Sequence, residues 1–144
     1  MAVRFGTPIA TPCPLLIRLF PTPQRIARAS TAQIRQIGIT EERARTIRDL
    51  SRAVAKGGLL LEPGLNPNHV TERLRKIRGI GEWTAQYIAM RALSWRDAFL
   101  PTDLVVRKAL GEENPKKLLT KAEKWRPYRA YAVLHLWDRP REAR

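Results

Sequence analysis

The chain has 144 residues, enough for one domain with its own core, and its 27 lysines and arginines against 13 acids give a formal charge of +14. That excess points to a polyanionic partner, nucleic acid first, because each neutralised phosphate releases counterions; a soluble surface that is merely basic is the alternative. The lone cysteine, Cys13 between Pro12 and Pro14, excludes an internal disulfide, a multi-thiolate zinc site and a Cys-ligated iron–sulfur cluster, and it suits a reducing, cytoplasmic setting.

Pro8, Pro12 and Pro14 break any apolar leader helix, and no run is long and apolar enough to span a bilayer, so no membrane partner is expected. Strand signals are weak and apolar residues recur at helical spacing, which predicts an all-α fold. Residues 1–14, rich in Pro and Thr, read as irregular. Thr22 and Pro23 suit the N-cap and first position of a helix over 23–29. Thr31 to Ile37 offers a second, ended by Gly38. Thr40 caps a stronger one that puts Ala44, Ile47, Leu50 and Val54 on one face and stops at Gly57-Gly58. After a loop around Pro63-Gly64, Asn66-Pro67 starts a helix carrying Val70, Leu74 and Ile77. A Gly79-Ile80-Gly81 turn leads into a helix over Glu82 to Leu93. Residues 94–102, with Trp95 packed among them, link to a helix starting near Asp103. Asn114-Pro115 starts another, with Leu118, Ala122 and Trp125. Pro127 breaks it, and Tyr128 to Trp137 closes the set with Ala130, Val133, Leu134 and Trp137 on one face. The reading is a single helical domain over 1–144, with an ordered core at 15–137, a hairpin at 74–92, and irregular or frayed ends at 1–14 and 138–144.

The most specific segment is Leu74-Arg75-Lys76-Ile77-Arg78-Gly79-Ile80-Gly81-Glu82-Trp83-Thr84-Ala85. Two glycines let the backbone turn sharply and approach another molecule. Ile80 between them can plug into the core. The helix that follows begins with free N–H groups which, with the helix dipole, make a phosphate site. Arg75, Lys76 and Arg78 add charge beside it. These contacts position a duplex and carry no sequence information. A weak echo of the same pattern lies around Ile34 to Ala44. A bare Gly-x-Gly would read as an ordinary helical turn; the whole pattern favours a DNA hairpin.

On these residues the chain resembles the helix-hairpin-helix DNA glycosylase superfamily, which includes endonuclease III, and within it the alkylation-repair branch of DNA-3-methyladenine glycosylase II. Phe99-Leu100-Pro101-Thr102-Asp103 fits the place of the family's catalytic Asp. Ala122-Glu123-Lys124-Trp125-Arg126-Pro127-Tyr128-Arg129-Ala130-Tyr131-Ala132, His135-Leu136-Trp137 and Phe20-Pro21-Thr22-Pro23-Gln24 match that branch. Bifunctional relatives carry a Schiff-base lysine just after the hairpin. Trp83 stands there, so the resemblance implies a monofunctional glycosylase that removes alkylated purines from double-stranded DNA in base-excision repair. The four-Cys cluster of many relatives has no counterpart.

The resemblance assigns the catalytic carboxylate to Asp103 and a base pocket to Trp83, Tyr87 and Trp137. It gives DNA contacts to Arg75, Lys76, Arg78, Gly79, Ile80, Gly81, Glu82 and Thr84. Read from the residues alone, Asp103 is an N-cap and the aromatics are core, although Trp83 and Tyr87 share a helix face at a spacing of four. Trp125, Tyr128 and Tyr131 read as structural, and Asp49, Glu82 and Asp97 as surface or capping acids. His69 and His135 form no His-Glu-x-x-His helix. No cofactor is expected beyond a structural monovalent cation, Na+ or K+, which hairpins of the family hold on backbone carbonyls, here those of Arg75, Ile77 and Gly79. The match begins inside the family pattern, near Val3-Arg4-Phe5-Gly6, so the expectation is a domain truncated at its N-terminus. Helix faces would then be left bare for self-association or for a missing N-terminal half. A non-catalytic hairpin module that binds DNA is the alternative to the enzyme.

Overall fold

The computed structural model describes residues 1–138; the expected frayed stretch lies outside the described residues from position 139 on, and Asp138 still belongs to the last helix. The fold is all-α. Among the described residues the only strand-like feature is an isolated antiparallel bridge between Pro8 and Arg18. No described helix is long and apolar enough to cross a membrane. The residues group into two compact units.

The first unit comprises residues 1–60 with Lys76–Gly79. It holds α1 (Ala2–Phe5), α2 (Pro23–Arg28), α3 (Thr31–Arg35) and α4 (Glu41–Ala55). Caps fix the three longer helices. Thr22 Oγ1 accepts from Arg25 N at 3.3 Å with Pro23 at the first helical position, and Thr40 Oγ1 accepts from Arg43 N at 3.4 Å. Ser30 and Gln33 form a reciprocal capping box, at 3.1 and 2.8 Å. Phe5, Ile26, Ala29, Ile34 and Ala44 make the core, and α2 and α3 both pack on α4. Two details differ from the sequence reading. Burial of Phe5 organises a helical turn at Ala2–Phe5 within the stretch read as irregular. Residues 15–22, expected to open the helical core, run without helix and leave Leu15, Leu16, Ile17, Leu19 and Phe20 exposed. Most of the exposed large apolar side chains of this unit, Val3 on α1 and Leu60 apart, therefore lie on this non-helical segment.

The second unit takes in Leu61–Arg75 and the described residues from Ile80 on. It holds α5 (Pro67–Arg75), α6 (Glu82–Ala92), α7 (Leu104–Leu110), α8 (Pro115–Ala122), a 3-10 turn at Glu123–Trp125, and α9 (Arg129–Asp138). Asn66 and Asn114 each cap the helix that follows, Asn66 Oδ1 accepting from Asn68 N at 3.0 Å and Asn114 Oδ1 from Lys116 N at 2.9 Å. Leu100, Val106, Leu118, Ala122 and Val133 are fully buried, and α7 packs against α9. Residues 98–100 pass through the centre of this core, so the chain reaches Asp103 from a rigid anchor.

Candidate active site

Asp103 ends the Phe99–Thr102 approach, where its own N–H donates to the Leu100 carbonyl at 3.0 Å. It is the N-cap of α7, as its position suggests: Oδ1 accepts from Val105 N and Val106 N, both at 3.0 Å. Two further donors come from distant helices. Trp137 Nε1 on α9 donates to Oδ1 at 3.0 Å, and Trp83 Nε1 on α6 donates to Oδ2 at 2.9 Å. The residue is only 8% exposed. Burial pushes its pKa up, but the N–H groups of Trp137, Val106, Trp83 and Val105 together outweigh it and hold the carboxyl below the ordinary aspartate value. Three donors reach Oδ1 and one reaches Oδ2. The result is a fixed carboxylate, charged at neutral pH, whose Oδ2 is the less engaged of its two oxygens.

The three aromatic residues expected in the pocket come together around it. Trp83 and Tyr87 stack with centroids 5.3 Å apart and planes 5° from parallel, and Tyr87 meets Trp137 at 6.0 Å and 45°. The i, i+4 spacing on α6 makes the first contact. Trp83 remains 37% exposed, since Tyr87 covers only one of its faces. Sequence reasoning found these rings as a stacking set and missed that two of them hydrogen-bond the carboxylate. The partners lie 20 and 34 residues from Asp103 in sequence, and only the indole N–H, a donor with no acceptor in its own helix, hinted at it.

At the hairpin, Ile80 is buried, Gly79 has φ +90, and Gly81 is the N-cap of α6. Glycine provides no side-chain cap, so the first-turn N–H groups of Glu82, Trp83 and Thr84 stay open to an outside acceptor. Lys76 and Arg78 are exposed and Thr84 is half-buried. Arg75 is drawn to Glu82 at 3.0 Å, and Gln86 also donates to Glu82, at 2.9 Å. The Glu82 side chain is thus engaged within the chain, while its backbone N–H has no side-chain cap. The carbonyls of Arg75, Ile77 and Gly79, expected to hold a monovalent cation, belong to the last residue of α5 and to the turn that follows it.

Other assignments change. Asp97, read as a surface or capping acid, is a nearly buried ion-pair centre: Arg129 donates to both of its oxygens at 2.7 and 2.8 Å, and Arg126 adds a bond at 2.6 Å. Tyr128 and Tyr131, read as structural, are exposed, with Arg96 lying over the Tyr128 ring. Trp125 does pack, against Phe99.

Comparison with known proteins places this arrangement. A family profile described as "HhH-GPD superfamily base excision DNA repair protein" matches residues 4–127. The chain is 35% identical over 118 residues to DNA-3-methyladenine glycosylase 2 of Escherichia coli, covering 82% of this chain and 42% of that protein. It is similar to the crystal structure of a Bacillus halodurans DNA-3-methyladenine glycosidase (34% identity, TM-score 0.66, covering 82% of this chain and 58% of the other). It is also similar to a Schizosaccharomyces pombe 3-methyladenine DNA glycosylase solved with abasic DNA (25% identity, TM-score 0.70, covering 82% and 62%). The chain therefore spans under two thirds of the length of each.

Proposed function

The chain belongs to the HhH-GPD superfamily of base excision DNA repair proteins, and from that premise we propose that it is a monofunctional DNA N-glycosylase excising alkylated purines of the 3-methyladenine type. One observation carries the reading: a buried, ionised Asp103 held by two indole N–H groups beside three clustered aromatic rings. The target nucleotide would be flipped out of the duplex. An alkylated purine is cationic, and electron-rich rings attract it by about 0.5–2 kcal/mol per good contact.

As the C1′–N bond breaks, its electron pair leaves with the base and the sugar becomes oxocarbenium-like. The Asp103 charge stabilises that cation, and Oδ2 orients the water whose oxygen bonds to C1′; the water's proton passes to solvent. A carboxylate with a depressed pKa is a weak base, so charge stabilisation and orientation outweigh proton abstraction. With Trp83 just past the hairpin there is no amine for a Schiff base. The open N–H groups at the start of α6, with Lys76 and Arg78, take the phosphate backbone. A structural Na+ or K+ would be held by the carbonyls of Arg75, Ile77 and Gly79, where it supplies positive charge next to a phosphate.

The test is release of free base from methylated duplex DNA, wild type beside Asp103→Asn. The expected outcome is 3-methyladenine from the wild type and a loss of at least about 100-fold in the variant, with duplex affinity nearly unchanged. A second reading, a hairpin module that binds DNA without chemistry, needs only the net charge of +14 and the open first turn of α6. It predicts salt-sensitive binding and no base release from either protein.

A further inference from the structure

Thr46 sits on α4, 32 residues before the hairpin turn, and no sequence motif singles it out. Its hydroxyl oxygen lies 3.0 Å from the Glu42 carbonyl and 3.0 Å from the Arg78 carbonyl. The first is the usual back-bond of a helical threonine. The second, which shares the single hydroxyl proton with the first, ties α4 to the turn. Gly79 follows in the left-handed region, and a Cβ placed on it would fall 2.1 Å from Thr46 Oγ1. Conformation and close approach therefore both require glycine.

Because a trans peptide is planar, its C=O and N–H point in opposite directions. With the Arg78 oxygen turned to Thr46, the Gly79 N–H is aimed away from α4. The Arg78–Gly79 peptide has one soft alternative, a flip that would bury the N–H against α4 and turn the carbonyl outward. An outward carbonyl would repel phosphate. The Thr46 donor opposes that flip.

We propose that Thr46 is a positioning residue of the DNA-binding hairpin: its hydroxyl locks the Arg78–Gly79 peptide so that the turn presents an N–H, and not a carbonyl, to the phosphate backbone. This rests on the DNA-binding reading above and adds a residue that itself touches no DNA.

Thr46→Val keeps the shape and removes the donor, whereas Thr46→Ser keeps the donor and removes a methyl. Affinity for an undamaged duplex is measured across a salt series, beside NMR relaxation of residues 77–81 in the free chain. The valine variant should bind about two- to tenfold more weakly, the loss of one hydrogen bond. Its salt slope should be unchanged, because no cation is removed, and backbone order at 77–81 should fall. The serine variant should match the wild type in all three. Unchanged affinity and order in the valine variant would overturn the proposal. So would equal losses in both variants, which would mark a packing role. A wild type that binds no duplex sinks the DNA-binding reading, and the relaxation comparison, made without DNA, still decides whether Thr46 orders the turn.

Discussion

Oδ1 of Asp103 accepts from the two first-turn N–H groups of α7 and from the Trp137 indole, while Oδ2 accepts from Trp83. The cap fixes where the carboxylate stands, and the indoles join the cap N–H groups in holding its charge. The cap was legible in sequence, because Asp103 opens an apolar helix after Pro101-Thr102. The indole bonds were not, since contacts at that separation depend on how α6, α7 and α9 pack. They give the aromatics a second role besides stacking. Trp137→Phe keeps a ring and deletes a donor that is first among those lowering the Asp103 pKa. The carboxyl should then titrate higher, nearer the ordinary value of about 3.9. The sign for stability follows. A folded-state pKa below the unfolded one contributes stability that is complete above the unfolded value and lost as pH falls through the folded one. The variant should therefore lose part of that increment at neutral pH and show a weaker dependence of stability on pH below 4. Titration of the Asp103 carboxyl carbon by NMR checks the direction; an unmoved midpoint would mean the indole bond does not tune the charge.

Helix boundaries were readable wherever a capping residue and a proline or glycine coincide. Thr22-Pro23, Asn66-Pro67 and Asn114-Pro115 each start a helix where expected, and Gly38, at φ +91, closes the turn after α3. The placement of α9 was not readable. Its first residue, Arg129, is 6% exposed and grips Asp97 in a bidentate pair, while Ala130 N donates to the Arg96 carbonyl at 2.9 Å. Asp97 and Arg129 are 32 residues apart, and each alone reads as a surface charge. Losing Asp97 removes both hydrogen bonds of the buried Arg129 and leaves it only the half-exposed Glu123 at 3.5 Å. Asp97→Ala should destabilise by up to about 3 kcal/mol, the lower end for a broken buried pair. Arg129→Met should cost less, because Arg126 still reaches Asp97. The double variant Asp97→Ala with Arg129→Met removes both charges and should be destabilised by less than the two single effects added together, a non-additivity that urea denaturation of all three would register. Simple addition of the single effects would show that the pair is not coupled.

For the molecule as a whole, the charge of +14 pointed to nucleic acid before any motif did. Fold class and hairpin followed from the punctuation by Gly and Pro, whose effects are local. Composition could not say which cations a duplex would meet, because that depends on what each one already pairs with. Arg75 is engaged by Glu82, and Arg35, Arg45, Arg52 and Arg107 each have an acid beside them. Lys76 and Arg78, in the turn that precedes α6 in sequence, are exposed charges. If these two meet phosphates, log affinity against log salt should lose about 0.9 in slope for each one replaced by alanine, for any duplex sequence. Replacing Arg75 should change the slope less, since a charge already neutralised by Glu82 releases fewer counterions on binding. Removing the acid instead, by Glu82→Gln, should free Arg75 and steepen the slope. Fluorescence anisotropy over a salt series measures all four variants. A slope that responds equally to Arg75, Lys76 and Arg78 would mean that the Arg75–Glu82 pair opens when DNA arrives, and that the hairpin uses its full set of cations.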